Sequence, residues 1–178
     1  MGIRNYLVEG VSGAGKTSVA EELERRGYHV VHGDRVLAYH GDPETGAILE
    51  RPLGATAIEA AEWGYPRWIW PVERVRMLQT DRSKAVTFFC GGTRNAHKFL
   101  AGFDKVFVLD VDRETLKGRL AGRGDDEFGG KPEELDIVLR FLSLREKIRP
   151  DSIRIDSRQP LAQVVETILG HCGLPLNS

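Results

Sequence analysis

With only two cysteines in 178 residues, Cys90 and Cys172, and no C-x-x-C or Cys/His cluster, the sequence argues against a disulfide scaffold and a structural zinc site. Cys90 stands in an apolar run and reads as a buried small hydrophobe, not as a nucleophile. No apolar run approaches the roughly 18 residues of a membrane span, and the N-terminal residues enter a strand pattern instead of a signal-peptide pattern. A soluble protein of the reducing cytoplasm, without a membrane partner, is therefore expected. Net charge is also nearly missing, since 25 Lys and Arg face 26 Asp and Glu. No global field selects a polyanion, which disfavours nucleic acid as a partner. Internal repeats, low-complexity tracts and linkers are absent as well. The expectation is one domain over residues 1–178, monomeric or homodimeric, large enough to cover a sheet on both faces.

What is present begins with Gly10-Val11-Ser12-Gly13-Ala14-Gly15-Lys16-Thr17, a G-x-x-x-x-G-K-[ST] pattern between the apolar run Tyr6-Leu7-Val8 and a helical pattern. In a strand-loop-helix context, backbone N–H groups converge on a phosphate at the positive end of the helix dipole. Gly10, Gly13 and Gly15 let the main chain approach phosphate oxygens, Lys16 reaches the β- and γ-phosphates, and the Thr17 hydroxyl supplies part of a Mg²⁺ shell. The expected ligand is a nucleoside triphosphate. Ser12, Ala14 and Ser18 complete the expected donor-binding set.

Short, continuous apolar runs suit strands buried on both faces, and these occur at Arg4 to Glu9, His29 to His32, Ala85 to Cys90, Lys105 to Asp110 and Ile153 to Ile155. Helical patterns lie near Lys16 to Arg26, Thr56 to Glu62, Val72 to Thr80, Arg113 to Leu120, Pro132 to Lys147 and Pro160 to His171. This alternation predicts an α/β fold: a doubly wound, mostly parallel, five-stranded sheet with helices on both faces. Two stretches break the pattern. The segment from Val36 to Trp70 holds Trp63, Trp68 and Trp70, and residues 122–130 are polar and glycine-rich. Insertions outside the carboxyl ends of strands form pockets and lids. Residues 36–80 are accordingly assigned to an acceptor-binding insertion and residues 119–131 to a lid. The three tryptophans are read either as a satellite core or as rings lining a pocket.

With these features together, the sequence resembles the P-loop small-molecule kinases: nucleoside and nucleotide kinases, shikimate kinase, gluconate kinase and their relatives. The resemblance implies ATP and Mg²⁺ and a small-molecule acceptor. It makes Asp34, in His32-Gly33-Asp34-Arg35, the carboxylate between acceptor hydroxyl and magnesium, with Arg35 beside it; capping of a short helix is the other use of such an Asp. It also makes Gly91, Gly92 and Arg94 the acceptor contacts after the strand ending at Cys90, with Trp68 as a pocket ring. Arg119 and Arg123, at i and i+4, become the lid arginines that reach the triphosphate, and Arg158 belongs to the loop bordering the nucleotide base. The catalytic set implied is Lys16, Asp34 and Arg123, and the metal contacts are Thr17 and Asp34. The acid usual in these kinases at the end of the strand closing at Cys90 is missing, which leaves Asp34 as its substitute. Aromatic residues favour a nucleoside or nucleotide acceptor; a sugar acid or a hydroxylated antibiotic also fits. A nucleotide-hydrolysing switch is the alternative from another class, although no N-K-x-D segment is present.

Overall fold

Both faces of the first strand are buried: Tyr6 and Val8 enter one apolar cluster and Leu7 enters another, as a period of two requires. The computed structural model describes residues 3–122, 132–145 and 151–175. In chain order the first half comprises β1 (Arg4–Glu9), α1 (Lys16–Arg25), β2 (His29–His32), α2 (Gly33–Val36), β3 (Tyr39–His40), α3 (Ala57–Gly64), β4 (Trp68–Ile69) and α4 (Val72–Thr80). The second half comprises β5 (Val86–Cys90), β6 (Lys105–Asp110), α5 (Arg113–Ala121), α6 (Pro132–Arg145), β7 (Ile153–Asp156) and α7 (Leu161–Cys172).

Five strands form one parallel sheet in the order β2-β5-β1-β6-β7. One face is covered by α1, α5, α6 and α7 through residues such as Leu23, Leu116, Val138 and Ile168. Trp70, Val75 of α4, Phe99 and Phe103 cover the other. The doubly wound sheet read from the sequence is thus the observed one, with strand bounds shifted by a residue at most. Along α7, Val164, Val165, Ile168 and Leu169 are buried, whereas Leu161, the first residue of the same apolar stripe, stays 40% exposed at the mouth of a cleft.

The stretch from Val36 to Trp70 holds more regular structure than its irregular periodicity suggests. β3 and β4 pair antiparallel as a two-stranded sheet, and a bridge joins Gly41 to Ile48. Strands of two residues carry no readable alternation, so only tertiary pairing reveals them. α3 begins with a capping box in which Thr56 and Glu59 satisfy each other's backbone N–H groups. Trp70 leaves this unit for the core, where it is fully buried and stacked parallel to Phe99 at 6.1 Å.

Candidate active site

The loop from Gly10 to Lys16 takes its shape from two left-handed glycines, Gly13 (φ 83°) and Gly15 (φ 102°), the latter immediately before α1. A Cβ on Gly13 would stand 2.7 Å from Leu116 and 2.9 Å from Leu120, so close packing of α5 independently requires glycine there. The loop opens on a cleft of about 610 Å³ lined by residues 12–19, Asp34, Arg119, Ser157, Gln159, Leu161 and Val164. Lys16 Nζ donates to the carbonyls of Gly10 and Val11, each at 3.1 Å, and lies 3.7 Å from Asp34 Oδ2. Thr17 and Ser18 are exposed on the first turn of α1, where its dipole favours anions.

Asp34 sits in the single turn of α2 but does not cap it, since no side chain caps that helix. Its Oδ1 accepts from Gly92 N at 2.9 Å and from Trp68 Nε1 at 3.2 Å, which leaves Oδ2 toward Lys16. Gly91 has no room for a side chain: a Cβ there would meet Trp70 at 2.7 Å, Asp34 N at 2.9 Å and Asp34 Oδ1 at 3.0 Å. The protein's own indole and carboxylate thus stand on the side where a Gly91 side chain would project. Gly92 acts through its backbone N–H on Asp34. Beneath Lys16, a second space of about 20 Å³ is lined by Thr17, His32, Asp34, Arg35 and Cys90. Burial, then the negative charge of Asp34, pushes the Cys90 thiol up, in keeping with an inert buried cysteine. Arg35 reaches Glu21 at 3.7 Å on the surface.

Aromatic and cationic groups cluster outside Asp34. The His40 ring lies 5.2 Å from both Trp63 and Trp68, Arg67 stands over Trp63 at 5.1 Å, and Arg94 stands over Tyr65 at 4.2 Å. Burial, followed by the charge of Arg51, pushes the His40 pKa down, which favours a neutral ring between the two indoles. Arg94 N donates to Trp68 O at 2.9 Å, which joins the loop after β5 to β4.

Arg119 spans the cleft wall. Its Nη1 approaches the carbonyls of Gly13 (3.4 Å) and Ala14 (3.3 Å) and Ser157 Oγ (3.4 Å), while Nη2 donates to Ser157 O at 2.5 Å. The guanidinium thereby ties the phosphate loop to the turn before α7. Arg158, in contrast, forms a fork with Asp156 and reaches Asp112 at 3.3 Å, and the residues from its loop that line the cleft are Ser157, Gln159 and Leu161. The paired guanidinium holds the Asp156 carboxyl well below the usual carboxylate range. Sequence reasoning located this loop but not Ser157, whose burial and contact with Arg119 have no local signature. Arg123, and with it residues 123–131 of the expected lid, lies outside the described residues.

A parallel sheet, a glycine phosphate loop at its carboxyl edge and a carboxylate facing the loop lysine define a P-loop protein of the small-molecule kinase fold. The AAA domain family matches residues 7–137, and the chain belongs to it. No curated protein matches the sequence. Among solved structures, a sugar kinase from Janibacter sp. HTCC2649 is 23% identical with a TM-score of 0.59, over 98% of this chain and 96% of that one. A gluconokinase from Sinorhizobium meliloti 1021 is 21% identical with a TM-score of 0.55, over 96% and 91%. Shikimate kinase from Acinetobacter baumannii, solved with shikimate, is 20% identical with a TM-score of 0.63, over 96% and 93%. At such identities the likeness is one of fold. Among the described residues, no helix is long and apolar enough to cross a membrane.

Proposed function

We propose that this protein is an ATP-dependent phosphotransferase that moves the γ-phosphoryl group of Mg-ATP to a hydroxyl of a small metabolite. The observation that carries the reading is Asp34: a carboxylate 3.7 Å from the phosphate-loop lysine, held through one oxygen by Gly92 N and Trp68 Nε1. In the reaction, the acceptor oxygen bonds to the γ-phosphorus as the bond to the β–γ bridging oxygen breaks. Asp34 Oδ2 takes the hydroxyl proton, and Lys16 offsets charge on the phosphate oxygens. A Mg²⁺ bound with the triphosphate would supply neutralisation of phosphate charge. Thr17 and Asp34 would hold it, and one or two protein oxygens suffice for a nucleotide-borne Mg²⁺. The apolar Leu161 and Val164 walls suit a nucleobase, with Ser157 and Gln159 as polar contacts. Arg123 is retained as the residue that would meet the triphosphate from the lid, and Arg94 as the acceptor's anion contact.

For the acceptor, a hydroxylated sugar or hydroxy acid is favoured over a nucleoside. Trp70 is committed to the core, and Trp63 and Trp68 each pack against His40, which takes the three indoles away from stacking on a base. The test is ADP release from Mg-ATP against sugars, sugar acids, hydroxy acids, nucleosides and nucleoside monophosphates, with Lys16→Ala as the blank. Stimulation by the hydroxylated class supports the proposal, and stimulation by nucleosides alone reassigns the acceptor. Acceptor-independent hydrolysis across the whole panel replaces the kinase by a switch.

A further inference from the structure

Trp68 is placed to do something other than line a pocket. Its indole N–H points at Asp34 Oδ1 (3.2 Å), the same oxygen that accepts from Gly92 N (2.9 Å), so two donors converge on one carboxylate oxygen. Two N–H groups from segments 24 residues apart in sequence leave the carboxylate one orientation, with Oδ2 on the side of Lys16. A carboxylate without such anchors twists about a broad final torsion, and only part of its population then holds the plane in which an oxygen meets a reacting hydroxyl.

The indole is itself fixed at three places. Its backbone carbonyl accepts from Arg94 N at 2.9 Å, and β4 pairs it with His40 of β3. Its ring meets the His40 ring at 62° with centroids 5.2 Å apart, and His40 is packed in turn against Trp63 and against the backbone of Gly64, where a Cβ would come within 2.8 Å of His40 Nε2. The chain of contacts runs from α3 through His40 and Trp68 to Asp34. It connects the end of the insertion to the catalytic carboxylate through groups with little freedom to move.

We propose that Trp68 is a positioning residue: its indole N–H, together with Gly92 N, fixes the plane of the Asp34 carboxylate so that its other oxygen stays toward Lys16 and the acceptor hydroxyl, and the ring itself is not an acceptor-stacking surface. The catalytic meaning of this inference rests on the kinase reading above, but the contact does not. Loss of a hydrogen bond to an ionised group is worth about tenfold in rate when the bond serves the transition state. Trp68→Phe is therefore expected to lower kcat about tenfold and leave KM for ATP and acceptor within about twofold.

The contact is read without turnover by ¹H–¹⁵N NMR of the full chain, whose three tryptophans give three indole N–H signals. The signal lost in Trp68→Phe identifies Trp68. In Asp34→Ala, with Trp68 intact, that signal is expected to move upfield together with the Gly92 amide, and by more than either of the other two indole signals. This variant also covers the case in which Trp68→Phe does not fold. An unmoved Trp68 signal overturns the proposal, as does a Trp68→Phe enzyme with native kcat and a raised acceptor KM, the signature of a ring that binds the acceptor. If the wild-type protein transfers phosphoryl to no acceptor, the kinase reading fails on its own, and the NMR shifts alone then decide whether Trp68 holds Asp34.

Discussion

Gly91→Ala is the sharpest perturbation of the site that removes no charge and no hydrogen bond. The added Cβ would lie 2.7 Å from Trp70 Cζ2, 2.9 Å from Asp34 N and 3.0 Å from Asp34 Oδ1, where ordinary contact begins at 3.4 Å. Trp70 cannot retreat: it is fully buried, stacked on Phe99, and held at both backbone groups by Asn95, which accepts from Trp70 N at 3.1 Å and donates to Trp70 O at 2.8 Å. The displacement, about half an ångström, falls on Asp34 and its bond to Gly92. Overpacking of this kind costs about 1–3 kcal/mol, which for a chain of this size lowers the melting temperature by about 3–9 °C. Catalysis should lose more than stability, because misplacing a reacting group by up to an ångström costs on the order of 10–100-fold. Urea unfolding and kcat, both measured well below the variant's melting temperature, separate the two effects. Native stability with native turnover would refute the packing argument. Lost stability with native turnover would show that Trp70 yields and Asp34 does not.

Four other expectations can be checked with single variants. Lys16→Ala should abolish acceptor phosphorylation while the thermal transition stays near that of the wild type, since its bonds to the Gly10 and Val11 carbonyls are only partly buried; a normal rate would remove Lys16 from the mechanism. Asp34→Asn should lower kcat by on the order of 100-fold with a smaller change in nucleotide affinity, by steady-state kinetics and calorimetry; an equal loss in both assigns it to binding. Arg119→Ala should weaken ATP binding by about fivefold to tenfold, because the phosphate loop loses its tie to Ser157, whereas Arg158→Ala, a surface ion pair, should leave it within about twofold; the reverse order would restore Arg158 to the nucleotide site. Hydrogen bonds from Arg25 and Arg26 hold Glu22 at about 2, below its ordinary 4.5. Because the folded value is the lower one, this stabilisation is complete above pH 4.5 and is lost as pH falls through about 2. The difference in urea midpoint between wild type and Glu22→Gln should shrink over that window, and a difference as large at pH 2 as at pH 5 contradicts it.

The parts of this protein legible in the sequence are those encoded by neighbours along the chain. The glycines of the phosphate loop announce themselves by spacing, and the two of them at positive φ, Gly13 and Gly15, are where a loop entering a helix needs the left-handed region. Continuous apolar runs announced the five strands of a sheet buried on both faces, to within a residue. The helical pattern near Thr56 to Glu62 marked α3, observed over Ala57–Gly64. Cys90 as a buried hydrophobe followed from its apolar surroundings.

What only the tertiary structure decided depends on residues far apart in sequence. The partners of Asp34 come from positions 68 and 92, so no local pattern distinguishes a helix cap from an oriented carboxylate. Gly33 and Gly91 look like turn residues, yet each faces the ring of Trp70, and which tryptophan entered the core was set by the pairing of two strands only two residues long. Arg119 and Arg158 carry the same charge in similarly polar surroundings; one bridges the phosphate loop to Ser157 and the other is spent on Asp156. Local sequence fixes backbone preference and periodicity, and it names the chemistry available. Direction and partnership of polar side chains arise only when the sheet order brings the loops after β1, β2, β5 and β7 to one edge, where burial leaves each hydrogen-bonding group few partners to choose from.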